Sequence, residues 1–344
     1  MTTARLTGMG QAFPAVMYQD QLWNQFFSEH YAGMAAAGRL FGSVGVRTRH
    51  GVVNPCDEDV SGWGTGARME RFLVEAMPLG KDAVASALDD AGLAPGEVGL
   101  FTVASCTGYV SPGLDIRLAA DLGMSADVQR LSVGHMGCYA ALPSLGAVTD
   151  YVVARGRPAV LLCLELPSLH VQPATSEVDQ VVAHAIFGDA AAAVVVEPGP
   201  GSGYTAVDVL ARTDNATADH MTWDVTDMGF RMGLSPRVPA VLARHVRDVV
   251  TELLTRNGLT LSDVDAWAIH PGGPRILDVV ARELALDEED VAVSRGVLRE
   301  HGNCSSGTVL IVLDELVRRR QPGTVVVMAF GPGLTLYTGL LVAS

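Results

Sequence analysis

The chain has 344 residues, 49% of them hydrophobic and 18% charged. That is apolar material for two ordinary domains or one large duplicated one, and too little charge for a disordered or coiled-coil protein. Its 24 basic and 38 acidic side chains leave a formal charge of −14, the wrong sign for neutralising a phosphate backbone, so a nucleic-acid or anionic-membrane partner is excluded. Five cysteines, an odd number without a short-spaced pair, fit neither a disulfide framework nor a structural zinc site, and no metal is expected. The start lacks a basic region followed by an apolar core, and no apolar run reaches roughly 18 residues, so the expectation is a cytoplasmic protein outside the membrane.

In chain order, the first strong signal is Leu88-Asp-Asp-Ala-Gly92-Leu93, a helix stopped by glycine, followed by Val98, Phe101 and Val103, which read as a strand. Gly134-His-Met-Gly137 then turns into Cys138, a helix over 140–154 and an apolar strand over 158–165. From Leu254-Thr-Arg-Asn-Gly258-Leu259 onward the pattern returns 166 positions later: His135 matches His301, Cys138 matches Cys304, and Val160 matches Val326. The second half accordingly reads as a helix over 308–319 and a strand over 324–329. Each half is expected to run strand, helix, strand, Gly-rich turn, helix, strand, the alternation of an α/β fold with a largely parallel sheet. The acidic run at 287–290 reads as a solvated helix start.

The duplication divides the chain into 1–200 and 201–344, two stacked α/β halves around a pseudo-twofold axis. Equivalent tips then face each other, so Cys138 of the first half meets Asn303 of the second, with His270 at the end of a second-half strand. A thiol at a helix N-terminus beside an imidazole is expected to ionise early, with a pKa lowered from about 8.5 to about 4–7. Such a thiolate is a nucleophile at neutral pH. Cys163 reads as a core residue and Cys56 as loop surface. His50 carries no site signal, and His301 and His135 read as turn residues.

Five ordered motifs carry a resemblance: Gly137-Cys138; Phe187-Gly-Asp-Ala-Ala-Ala-Ala-Val194; His270-Pro-Gly-Gly-Pro-Arg-Ile-Leu-Asp278; Gly302-Asn-Cys-Ser-Ser306; and Phe330-Gly-Pro-Gly-Leu334. Together they resemble the type III polyketide synthases, the chalcone synthase-like family of the thiolase superfamily, over nearly the whole chain. The resemblance implies a thiolase-like fold of duplicated αβαβα halves with layered mixed sheets. It also implies a decarboxylative Claisen condensation in which Cys138 holds an acyl starter from acyl-CoA, while His270 and Asn303 stabilise the enolate from malonyl-CoA. No cofactor is implied beyond the CoA thioester substrates. An acyltransferase that moves the acyl group without condensation is the alternative, and the asparagine weighs against it.

By the same resemblance Phe187 and Met232 are gatekeepers between a coenzyme A tunnel and the reaction chamber, and Cys106, His170, Trp223 and Ser305 line that chamber. Trp223 stands where plant relatives carry glycine, which implies a small chamber and a short product such as a pyrone or resorcinol. Arg39 aligns with one of three basic phosphate-binding residues; the other two positions are Ala36 and Ser43, with Arg47, Arg49 and Arg275 as candidate replacements. Ser111 aligns with a residue that crosses a dimer interface, so a homodimer is expected, and an acyl carrier protein is a conceivable starter donor. The Gly331-Pro-Gly333 loop reads as a close-packed turn scaffolding the site.

Overall fold

Strands built from uninterrupted small and branched apolar residues need cover on both faces, and this chain supplies it with helices from both halves. The computed structural model describes residues 3–320 and 323–344. In chain order the strands are β1 (Ala4–Ala12), β2 (Val16–Tyr18), β3 (Thr48–His50), β4 (Leu100–Ser105), β5 (Gln129–Gly134), β6 (Ala159–Glu165), β7 (Ala190–Pro198), β8 (Tyr204–Thr213), β9 (Met221–Thr226), β10 (Gly229–Leu234), β11 (Ala266–Ile269), β12 (Thr324–Gly331) and β13 (Thr335–Ala343).

Nine of them form one mixed sheet in the order β11-β12-β13-β8-β1-β7-β6-β4-β5. In the first half β4 runs parallel to β5 and β6, while β6–β7 and β7–β1 are antiparallel. The second half repeats this with β11 parallel to β12, then β12–β13 and β13–β8 antiparallel. The halves join through two residue pairs, Arg5 with Thr205 and Leu6 with Tyr204.

Helices Ala141–Arg155 and Thr308–Arg320 each pack on strands of both halves and form the middle layer. Their core joins Leu142, Leu145 and Val148 to Val309, Leu310 and Ile311. Helix Thr65–Ala91 covers β1, β7 and β6 outside, and Val238–Arg256 covers β13 and β8, each over its own apolar core. The layers therefore alternate α, β, α, β, α, as expected of duplicated halves. Both of these outer helices run out into a left-handed glycine, Gly92 at φ 68° and Gly258 at φ 71°. Past each, the Leu93 N–H reaches the Leu88 carbonyl at 3.0 Å and the Leu259 N–H reaches the Leu254 carbonyl at 2.9 Å.

One expected element differs. The segment matching β5 in the second half is the helix Glu288–His301, not a strand. Asp287 caps it by accepting from the Glu289 and Asp290 N–H groups, and its buried residues Val291, Ser294, Val297 and Leu298 recur at helical spacing. β5 itself is an edge strand with mostly exposed side chains, so the second half closes its sheet one strand earlier. All five cysteines are free, Cys163 is buried as expected, and Cys56 is half-buried against the first core instead of lying on the surface. Among the described residues no three-residue His/Cys/Asp/Glu cluster could hold a metal, and no helix is long and apolar enough to cross a membrane.

Candidate active site

The chain leaves β5 through Gly134 and His135 into a 3₁₀ turn, Gly137–Tyr139, that leads into helix Ala141–Arg155. Cys138 sits in that turn, 6% exposed, with its Sγ 3.7 Å from the Ser305 Oγ. A cavity of about 500 Å³ opens beside it, and Cys138, His270 and Asn303 all line it. The two halves thus bring together the three side chains singled out from the sequence.

His270 follows β11 directly, its N–H held by the Met328 carbonyl at 2.8 Å. The ring is fully buried, edge-on to Phe330, and neither nitrogen has a hydrogen-bond partner. Orphaned buried polar atoms are rare in folded proteins and mark groups kept for another task. Burial pushes the His270 imidazole down to about 3, so it rests neutral. Asn303 is fixed on both sides: its N–H donates to the Ile186 carbonyl at 2.8 Å and its carbonyl accepts from the Gly188 N–H at 3.0 Å, forming a parallel bridge to Phe187. The Asn303 Oδ1 accepts from the Ser305 N–H at 2.8 Å and from the Thr308 hydroxyl at 3.4 Å. With the oxygen occupied, the amide N–H₂ is the end left to donate, and it bears on the Cys138 thiol.

The expected early ionisation of the thiol is corrected by its burial. Desolvation pushes Cys138 up to about 12; the Glu165 carboxylate adds to the rise, and the Ser305 hydroxyl and Asn303 amide oppose it. A helix N-terminus offers only part of a charge, and removing a thiolate from water costs more. At rest a thiol and a neutral imidazole therefore share the cavity.

Glu165 is a site residue that the sequence reading missed. It ends β6 fully buried and accepts from the Ser306 hydroxyl at 2.6 Å, the Thr107 hydroxyl at 2.8 Å and the Cys106 N–H at 3.0 Å, with the Cys106 thiol at 3.5 Å. The signal was a lone carboxylate closing the apolar run Ala159–Leu164. Because its negative charge disfavours a neighbouring thiolate, Glu165→Gln is expected to lower the pH at which Cys138 is alkylated by iodoacetamide. An unchanged or raised alkylation profile counts against this coupling.

The hairpin β9–β10 carries Trp223 and Met232 as a direct cross-strand pair. The indole Nε1–H donates to the Cys106 carbonyl at 2.7 Å, which pins the ring across the space behind Phe187. What remains there is a chamber of about 20 Å³, lined by Cys106, Cys138, Phe187, Trp223, Met232 and Ser305 among others. His170 is not among them. Its Nε2–H donates to the Thr107 carbonyl at 2.7 Å, its Nδ1 accepts from the Phe230 N–H at 2.9 Å, and its ring stands edge-on behind Trp223. Burial holds it down to about 4; with both nitrogens engaged it supports the Trp223 wall, and it lines a separate pocket of about 40 Å³ together with Phe187, Trp223 and Met232. Gln172 and Gln180, also missed, hold the hairpin through the Phe230 and Met232 carbonyls.

At the cavity's mouth, helix Ala37–Ser43 contributes Leu40 and Ser43 to the lining, with Arg39 exposed beside them. Arg275 also lines the cavity, and Arg47 is exposed but paired with Glu300. Arg49 is corrected as a phosphate candidate: it is buried, and its guanidinium donates to the His184 and Phe187 carbonyls.

Two family models match the chain, the N-terminal domain of chalcone and stilbene synthases over residues 2–200 and their C-terminal domain over 204–344. An alpha-pyrone synthesis polyketide synthase-like protein of Mycobacterium tuberculosis is 36% identical over 281 residues, 78% of this chain and 71% of the relative. A 1,3,6,8-tetrahydroxynaphthalene synthase of Streptomyces peucetius is 36% identical over 313 residues, 88% of this chain and 82% of the relative. Among solved structures, a polyketide synthase of the brown alga Ectocarpus siliculosus superposes with a TM-score of 0.94 at 27% identity, covering 100% of this chain and 99% of that one. The C-terminal type III polyketide synthase domain of a Dictyostelium hybrid enzyme gives 0.92 at 26% identity, covering 99% of each chain.

Proposed function

This chain belongs to the chalcone and stilbene synthases, and from that premise we propose that Cys138, His270 and Asn303 carry out its chemistry, with 1–200 supplying the nucleophile and 201–344 the imidazole and amide. It is a type III polyketide synthase of thiolase-like fold, an acyltransferase that condenses malonyl-CoA. His270 takes the Cys138 proton as an acyl-CoA arrives, and the sulfur attacks the thioester carbonyl and expels coenzyme A. Malonyl-CoA then enters and loses carbon dioxide. The enolate oxygen so formed accepts from Asn303 and from a His270 N–H, each donor worth roughly 2–4 kcal/mol when aimed at developing charge. The enolate carbon attacks acyl-Cys138, and the lengthened chain is passed back to the sulfur or released. No step assigns work to a resident cofactor.

The observation that carries this reading is the buried imidazole with two free nitrogens lining one cavity with a thiol and a carboxamide whose oxygen is already occupied. Acyl transfer alone needs no second donor aimed at an enolate oxygen, so the amide weighs against it. Labelled malonyl-CoA, supplied with and without an acyl-CoA starter, tests it: carbon dioxide and a mass increase by acetate units are expected together. Acyl transfer without carbon dioxide release overturns it.

The chamber of about 20 Å³ supports a short product, a pyrone or small resorcinol, with Trp223 as the wall, Phe187 and Met232 as the gate, and Cys106 and Ser305 beside the nucleophile. Trp223→Gly is expected to yield products at least one acetate unit longer, read by mass spectrometry; an unchanged chain length sinks that role. Arg39 and Arg275 are assigned to the coenzyme A phosphates, and an acyl carrier protein would present its starter at the same mouth. The exposed edge strand β5 with Leu131, and the exposed Tyr109 and Ser111 in the loop that follows its neighbour β4, support a homodimer through that edge. Five free cysteines fit a reducing cytoplasm.

A further inference from the structure

Four consecutive residues, Arg47 to His50, tie together the two segments that meet at the Phe187–Asn303 bridge. The Arg47 N–H donates to the Arg299 carbonyl at 2.8 Å and the Thr48 hydroxyl to the Glu300 carbonyl at 2.8 Å. On the other side the Arg49 guanidinium donates to the Phe187 carbonyl at 2.9 Å, and the His50 carbonyl accepts from the Asp189 N–H at 2.9 Å. Beside the Arg47–Glu300 ion pair, a further link joins two side chains: His50 Nε2 and His301 Nδ1 lie 3.1 Å apart. His301 is the last residue of its helix and stands two positions before Asn303. The crossing has no spare room, since a Cβ on Gly188 would lie 2.4 Å from the His301 carbonyl oxygen. The direction of the Asn303 amide therefore follows the placement of His301.

The hydrogen bond between the rings has a fixed polarity. The Pro14 carbonyl, 3.0 Å from His50 Nδ1, can only accept, so the His50 proton sits on Nδ1 and its Nε2 is a bare acceptor. His301 must then donate from Nδ1. Phe13 packs against both rings, stacked on His301 with centroids 4.4 Å apart and tilted by 33° against His50 at 4.7 Å. Burial lowers both imidazoles, His301 to about 4, so both are neutral at physiological pH and the tautomers hold.

We propose that His50 and His301 are positioning residues for the decarboxylation step, their imidazole-to-imidazole hydrogen bond fixing the turn that aims the Asn303 amide at the enolate oxygen. The proposal rests on the reading of Asn303 given above and gives work to two histidines that do not line the cavity.

The test uses the full chain carrying Cys138→Ala, in which carbon dioxide release from malonyl-CoA reports the His270 and Asn303 step alone. Adding His301→Leu or His50→Leu is expected to lower kcat for that release roughly tenfold or more, as small displacements of catalytic groups do, with KM for malonyl-CoA within about twofold. His301→Asn keeps an N–H donor near the δ position and is expected to restore most of the rate. His301→Gln, equally polar but reaching past that position, is not. A merely structural role treats the two amides alike, so equal recovery by both, or full rates in the leucine variants, overturns the proposal. Asn303→Ala in the same background separates the two readings: if it leaves release intact, the reading of Asn303 fails. If it stops release while His301→Leu does not, only the positioning role falls.

Discussion

A Cys138→Ala protein is expected to make no condensed product, a fall of roughly 10³-fold or more, while still releasing carbon dioxide from malonyl-CoA. The separation follows from where each group is anchored. His270 is set by its N–H bond to the Met328 carbonyl and Asn303 by its bridge to Phe187, and neither anchor involves the sulfur. Removing the thiol leaves the donors for the enolate where they are and deletes only the atom that holds the starter. Cys138→Ser is expected to be nearly as poor at condensation, because an alcohol ionises far less readily than a thiol and burial already pushes the thiol up to about 12. Thin-layer or mass analysis of products beside a carbon dioxide assay decides the matter. Condensed product at the parent rate from either variant removes Cys138 from the mechanism.

The sequence showed which side chains would share one cavity more plainly than the scaffold that holds them there. Cys138, His270 and Asn303 were legible because an internal repeat relates the tips of equivalent elements, and the repeat itself was marked by punctuation that physics enforces, such as Gly92 and Gly258 at matching left-handed helix ends. The repeat misled at Glu288–His301, where the Asp287 cap and helical burial spacing outweighed the match to edge strand β5. Arg49, His50, Gln172 and Gln180 were illegible as supports because their partners are mostly backbone groups remote in sequence; Gln180 reaches the Met232 carbonyl and Arg49 the Phe187 carbonyl. No local spacing encodes such a contact. The pKa of Cys138 was misjudged for a related reason: the helix end was visible in the sequence, but the closeness of the walls that desolvate the sulfur was not.

Gly137→Ala is expected to cost about 2–4 kcal/mol of stability and to slow condensation by roughly a hundredfold, the largest loss predicted for a residue without chemistry of its own. Two effects add. Gly137 sits at φ 74°, a left-handed conformation that strains any residue with a Cβ, and that Cβ would lie 2.5 Å from the Pro332 Cδ. Pro332 belongs to the Gly331–Gly333 loop of the second half, whose close packing on the nucleophile turn fits the scaffolding expected of it. Gly331 also packs closely, since a Cβ there would stand 3.2 Å from the Cys138 nitrogen. The added methyl must push the nucleophile turn away from the loop and carry Cys138 off its line to the substrate. Pro332→Ala removes the ring and is expected to return part of the lost turnover when combined with Gly137→Ala, leaving the backbone strain in place. Denaturant unfolding and condensation rates on the two single variants and the double variant measure that coupling as a cycle. A double variant no better than Gly137→Ala alone would mean that the contact between the halves is not what holds the sulfur in position.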